Sequence, residues 1–138
     1  AEDAATAPIP GDVVDALEAL IQLSEKSRKA LEEMRKLASV LPWIGPSLDL
    51  FEERLSVLAA HGVDVASLDF EASYGRTTLE YYDGFVFGFY AEARPDLPPV
   101  ATGGRYDALT AVLGQGRSIP AVGGVIRPAL VVELEGRA

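Results

Sequence analysis

The run YYDGFVFGFY, Tyr81 to Tyr90, alternates bulky and small residues in a way that suits an extended strand and little else. Side chains of a strand point to opposite faces in turn. Odd positions give Tyr81, Asp83, Phe85, Phe87 and Phe89; even positions give Tyr82, Gly84, Val86, Gly88 and Tyr90. One face is therefore a phenylalanine wall, expected to meet the core. The other carries two tyrosines parted by glycines and a valine. Glycine weakens a strand interior and marks close approach of a ligand or another backbone. From spacing alone two readings stand: a helix packed on Gly84 and Gly88, or the floor of a ligand pocket.

The rest of the chain is read around this strand. Residues 1–10 form an Ala/Pro-rich lead-in. Asp12 is expected to cap one long helix over 12–40, with Val13, Leu17, Leu20, Ile21, Leu31, Met34, Leu37 and Leu41 at steps of three and four. Its middle, QLSEKSRKA, interrupts the stripe, and LPWIGPS stops the helix. A second helix follows, with Ser47 as N-cap, Leu48, Phe51, Leu55 and Leu58 on one face, and Gly62 as its left-handed end. Further strands are expected over Val65–Ser73, near Val100–Ala101 and over Ile119–Ile126. GGRYDALTAVLG reads as a glycine turn opening a short helix with Leu109, Val112 and Leu113 buried; PALVVELEGR reads as a closing helix begun by Pro128. Strands this close in sequence, without long helical crossovers, predict an α+β fold with an antiparallel sheet flanked by helices.

Composition excludes several function classes. The net charge is −9 and the 12 basic residues are scattered, so no basic face for nucleic acid is expected. No apolar run reaches the roughly 18 residues of a membrane-spanning helix. The acidic start AEDAATAPIPGD lacks the features of a signal peptide, and a cytoplasmic location is the expectation. With no cysteine and a single histidine, His61, neither a nucleophile–histidine triad nor a metal cluster can be assembled, and no cofactor is expected. His61 beside Gly62 reads as a helix-end residue. GGRYD, Gly103 to Asp107, is less easily dismissed. A helix entry accounts for glycine and for Asp107 binding backbone N–H groups, but gives no reason for Arg105 and Tyr106.

Three ordered segments, LEYYDGFVFGFY, GGRYDALTAVLG and IPAVGGVIRPAL, together resemble the C-terminal half of the histidyl-tRNA synthetase catalytic fold. The family pattern there is RGLDYYTGTVFE, then GGRYD-L, then PAVGFAIG-ER. The likeness runs from about Ser47 to Leu130 and is sharpest at Tyr81–Tyr82, Gly84–Phe87, Gly103–Asp107, Leu109 and Pro120–Gly123. It implies a class II aminoacyl-tRNA synthetase-like domain in part (residues 46–138), preceded by an N-terminal helical segment (1–45) where synthetases carry an inserted helical region. It also implies that the family's earlier motifs precede residue 1, leaving an exposed sheet edge and favouring a homodimer or pairing with the absent half.

The departures from that pattern are chemical. The activation arginine of the first motif aligns with Thr77; Arg76 is one residue away, hence on the opposite face of a strand. The aspartate of the motif is Glu80, and the closing ER of the third motif is replaced around Arg127–Pro128–Ala129. Adenylyl chemistry depends on positioned positive charge. A synthetase-like domain that keeps the amino-acid floor and lacks these arginines resembles the regulatory subunits of ATP phosphoribosyltransferase. That resemblance implies no catalytic residue, histidine as effector, the catalytic subunit as partner, and a histidine site of Tyr82, Tyr106, Arg105, Gly103 and Gly104, with Thr77 at the altered position. A divergent histidyl-tRNA synthetase or other class II ligase fragment, and a plain interaction module, are the other readings.

Overall fold

A computed structural model describes residues 8–74 and 82–136 of the chain. The chain divides into two compact units, Ala1–Ser73 and Tyr74–Ala138. Together they form an α+β structure with five α-helices and two small antiparallel sheets among the described residues.

In the first unit, α1 (Gly11–Ile21) leads through β1 (Ser24–Lys26) into α2 (Ser27–Leu37); a 3-10 turn (Pro42–Ile44) opens α3 (Gly45–Ala60), and β2 (Asp69–Glu71) closes the unit. The core is Ala30, Met34 and Leu48, packed by Leu20, Leu23, Leu31, Ala38, Ile44, Phe51 and Phe70. Leu41 is completely buried nearby. The single 12–40 helix of the sequence reading is therefore two helices. The polar stretch that interrupts the apolar stripe is a strand: Ser24, Glu25 and Lys26 pair with Glu71, Phe70 and Asp69. Ser27 is buried at the start of α2, its N–H donating to the Leu68 carbonyl at 2.8 Å. The partner strand lies more than 40 residues away, and local periodicity cannot register it.

The helix starts also differ. Asp12 lies within the first turn of α1, behind Pro10 at the N-cap, and α3 starts at Gly45 with Pro46 in its first turn, ahead of Ser47. Pro46 needs no amide hydrogen there, so it begins the helix and does not break it. Gly62, with φ +82°, ends α3 as expected, and His61 Nδ1 lies 2.9 Å from the Val57 carbonyl oxygen, a helix-end contact. Helix α3 packs with α2 in the first unit, whereas the motif likeness draws its boundary at 45/46.

The second unit is built on a three-stranded antiparallel sheet: β3 (Val86–Phe89), β4 (Ala101–Arg105) and β5 (Val122–Ile126), in that order. Helix α4 (Asp107–Leu113) follows β4, and α5 (Pro128–Leu134) follows β5 with Pro128 in its first turn. Gly103 and Gly104 are in the central strand and not in a turn. The expected 65–73 and 81–90 strands are shorter among the described residues, as β2 and β3. Leu109 is half-buried, but Val112 and Leu113 are 79% and 76% exposed, against expectation. Helix α4 has only two turns, and its apolar positions reach no core. The phenylalanine wall is likewise open: Phe85, Phe87 and Phe89 contact one another at ring-centroid distances of 6.2 and 5.7 Å, yet Phe89 is 63% exposed. The buried positions among the described residues of this unit are Gly103 and Gly104.

Gly103 is the tightest of these positions. A Cβ there would lie 2.5 Å from Phe87 Cζ and 2.9 Å from Gly124 Cα, and would press on the Gly123 carbonyl oxygen. At Gly123 the nearest obstacle is the movable Tyr106 hydroxyl, 2.9 Å away. Gly103→Ala should therefore cost about 1–3 kcal/mol, and Gly123→Ala less. All five tyrosines lie at 74–106 and the one tryptophan, Trp43, in the first unit. Urea unfolding followed by tyrosine near-UV dichroism should show the difference, while the Trp43 transition stays in place.

Candidate functional site

The glycine-bearing face of the β3–β4–β5 sheet is the place to which the sequence reading points. Register makes Val86, Gly104 and Gly123 one row across the three strands, and Gly88, Thr102 and Val125 the next row on the same face. Phe87, Gly103 and Gly124 form a row on the opposite face. Within β3 the even-numbered residues Val86 and Gly88 thus share the face of Gly104, as alternation requires.

On that face two tyrosines meet. Tyr82 Cδ1 sits 2.9 Å from where a Gly104 Cβ would be, and Tyr106 places its hydroxyl over Gly123. Their ring centroids are 6.3 Å apart at 49°, an aromatic contact. Tyr74 and Tyr90 form a second pair, 6.3 Å apart and nearly perpendicular, and both border Gly88. Gly84 precedes β3 and does not follow its alternation: the stem of Arg105, on the opposite face, fills the space there. Neither a packed helix nor open room lies directly over Gly84 and Gly88: side chains of this same unit do. Tyr74 lies just beyond the last residue of the expected 65–73 strand, and nothing in its local sequence signals the contact with Gly88.

Of the expected site residues, Tyr82, Gly104 and Tyr106 come together. Gly103 is on the opposite face beneath Phe87, and the Cβ of Arg105, two residues further along the strand, points to that same opposite face. Thr77, together with Arg76, Glu80 and Tyr81, lies outside the described residues. The Arg105 guanidinium is held by Asp107, with Nε 2.8 Å from Oδ2. Among the described residues no group of three or more His, Asp or Glu side chains could hold a metal ion.

Two carboxylates lock the frame of the tyrosine pair. Asp107 does not cap the helix it begins: its Oδ1 accepts the Ala121 N–H at 2.8 Å, joining the start of α4 to the approach of β5. The cap comes from Asp83, 24 residues upstream. Its carboxylate accepts the Asp107 N–H at 3.0 Å and the Ala108 N–H, while its own N–H donates to the Arg105 carbonyl. Asp83 was missed by the sequence reading, which had no local signal for so distant a cap. Thr110 adds a further tie, donating its hydroxyl to a carbonyl and accepting the Ile119 N–H at 3.0 Å.

The Ala121 N–H, and after it Arg105, hold the Asp107 carboxyl below the usual aspartate range. A depressed carboxyl pKa stabilises the fold above the unfolded value near ~3.9 and ceases to do so as pH falls through the folded value. Acid titration of the tyrosine dichroism should therefore show a loss of order below about pH 4 that Asp107→Asn makes shallower. Asp83→Ala should cost about 1 kcal/mol at neutral pH, as loss of a cap does.

A family profile described as "Histidyl-tRNA synthetase" matches residues 1–130. An "ATP phosphoribosyltransferase regulatory subunit" of Sinorhizobium medicae (strain WSM419) is 41% identical over 80 residues, covering 58% of this chain and 20% of that protein. Proteins of the same name from Rhizobium etli (strain CIAT 652) and Mesorhizobium japonicum are 44% and 39% identical over 80 residues, again 58% of this chain and 21% of theirs. The chain thus spans about a fifth of the length of the curated relatives it matches. No solved structure matches. With the profile running over nearly its whole length, the chain belongs to the histidyl-tRNA synthetase family.

Proposed function

We propose that this chain is part of a non-catalytic regulatory subunit of ATP phosphoribosyltransferase, a cytoplasmic protein required for the first step of histidine biosynthesis. The observation that carries the reading is the Tyr82–Tyr106 pair over Gly104 and Gly123, in a chain whose relatives bear the regulatory-subunit name. The sheet is then the C-terminal part of a class II synthetase-like domain, and the tyrosine face is its histidine floor. Two rings and a glycine-flattened strand suit a small planar imidazole: the rings supply stacking area and the hydroxyls supply hydrogen-bonding tips. Gly103 supports that floor from behind, and Arg105 supports it by holding Asp107. Thr77 completes the site at the altered activation position.

Two arginines beside the sheet are engaged in structure. Arg127, the arginine nearest the altered third motif, donates to the Pro99 carbonyl at 2.7 Å. Arg105 is paired with Asp107. Adenylate formation needs arginines directed at phosphate oxygens, and both side chains are engaged elsewhere. This supports a regulatory role over the ligase reading. No helix of the described residues is long and apolar enough to cross a membrane.

The reading is tested with the full-length protein and the catalytic phosphoribosyltransferase subunit of the same organism. Phosphoribosyl transfer should rise when the two are mixed and fall again on addition of histidine. Calorimetric titration of histidine should give about tenfold weaker binding for Tyr106→Ala, the scale expected on losing one well-placed ring. Unchanged activity on mixing overturns the reading, and histidine-dependent pyrophosphate exchange by the protein alone replaces it with the ligase.

A further inference from the structure

Tyr106 sits where a strand becomes a helix. It follows β4 directly and occupies the N-cap of α4, with φ −146° and ψ 55°, the geometry of neither element. A ring on such a residue is aimed by whatever fixes the two peptide planes that meet at its Cα. Asp83 holds both planes. Its N–H donates to the Arg105 carbonyl at 3.1 Å, on the plane before Tyr106, and one oxygen of its carboxylate accepts the Asp107 N–H at 3.0 Å, on the plane after it. The other oxygen accepts the Ala108 N–H. The Tyr106 N–H adds a bond of 3.0 Å to the Ala121 carbonyl. Asp83 also follows Tyr82 in the chain, with the two Cα atoms about 3.8 Å apart. The residue joined covalently to the first ring therefore restrains the backbone that carries the second.

A helix that only had to begin would carry Ser, Thr, Asp or Asn at its N-cap and satisfy its own first amides. Helix α4 has tyrosine there instead, with no capping bond from that side chain, and takes its cap from 24 residues upstream of Asp107. The N-cap position is thus free to present a ring, and the capping is done from the strand that presents the other ring. We propose that Asp83 is the positioning residue of the histidine floor: it holds the Tyr106 ring at its spacing and tilt from Tyr82. This rests on the regulatory-subunit reading above. The 6.3 Å and 49° between the rings are then set before a ligand arrives, and a ligand does not have to spend affinity on ordering them. Asp83 acts through the backbone on either side of Tyr106 and touches neither ring's bound partner.

Calorimetric titration of histidine into the full-length protein reads the effect. Asp83→Ala should bind about fivefold more weakly, short of the loss given by Tyr106→Ala. Asp83→Asn keeps one acceptor oxygen of the two and should recover part of that loss. Arg94→Gln unties the 94–99 turn from α5, away from the tyrosine pair, and should leave histidine affinity unchanged. The double variant is the sharpest comparison. In the Tyr106→Ala background Asp83→Ala should add nothing, because the ring it aims is gone. If Asp83→Ala binds histidine as wild type does, or loses about fivefold again in that background, the positioning role is wrong and the histidine reading stands. An equal loss in Arg94→Gln ascribes the effect to lost stability and also overturns the role. An Asn variant as weak as the Ala variant, with a loss that fades at high salt, makes Asp83 a direct partner of the histidine ammonium and replaces positioning with contact. If wild type itself binds no histidine, the reading of the tyrosine face falls and the role of Asp83 with it.

Discussion

Close approach across the central strand β4 governs the second unit. Gly103 and Gly104 are its buried positions among the described residues, and aromatic rings press on them from opposite sides: Phe87 over Gly103, Tyr82 over Gly104. A side chain at either would collide with backbone as well as with a ring, because the Phe85 carbonyl crowds Gly104 and the Gly123 carbonyl crowds Gly103. Among the described residues the sheet therefore has no conventional core of interleaved aliphatics. Its order comes from the ladder of backbone hydrogen bonds, from rings lying flat on glycines, and from carboxylates tying helix starts to neighbouring strands. The same arrangement that lets three strands hold together with so little buried side chain also flattens the surface beside Tyr82 and Tyr106.

The first unit works by the opposite means. Ala30, Met34 and Leu48 are buried, and partly buried aliphatics and two phenylalanines close around them. Phe51 and Phe70 meet at 5.3 Å with their rings tilted by 37°, linking α3 to β2. Its two short strands add little area, but they divide what would otherwise be one long helix and bring residue 27 beside residue 68. Stability in this unit follows apolar volume; in the second it follows backbone geometry. A cavity-forming change such as Met34→Ala and an overpacking change such as Gly103→Ala thus act through different terms, transfer and void in one case and steric collision in the other.

What was legible in the sequence follows the range of the responsible interaction. Pro128 at the first turn of α5, Gly62 beyond α3, and the two-faced alternation of residues 86–89 are decided within a few residues, and each is found as read. The break at Gln22–Lys26 and the Asp83 cap on α4 depend on partners 24 or more residues away, and local patterns do not contain them. Burial was misjudged for Val112 and Leu113 because apolar spacing shows which side of a helix is apolar, not whether anything covers it. In the candidate site, motif order placed Tyr82, Gly104 and Tyr106 together. It could not separate Gly103 and Arg105 from them, since adjacent strand residues face apart and the motif reads them as one string.

Three arginines of the second unit are committed to structure. Guanidinium forks serve phosphate chemistry when they are aimed at oxygens that gain charge, and they serve structure when a carboxylate or carbonyl of the same chain saturates them. In the second unit Arg94 takes Asp96 in two parallel bonds and reaches Glu133, tying the 94–99 turn to α5. Arg127 grips the same turn through the Pro99 carbonyl, and Arg105 holds Asp107. All three stiffen loops around the sheet. For any of the three to reach the tyrosine face, it would first have to leave its partner. For Arg105 that means reversing the side of the strand from which it projects, a change that substitution alone does not accomplish without moving the register of β4.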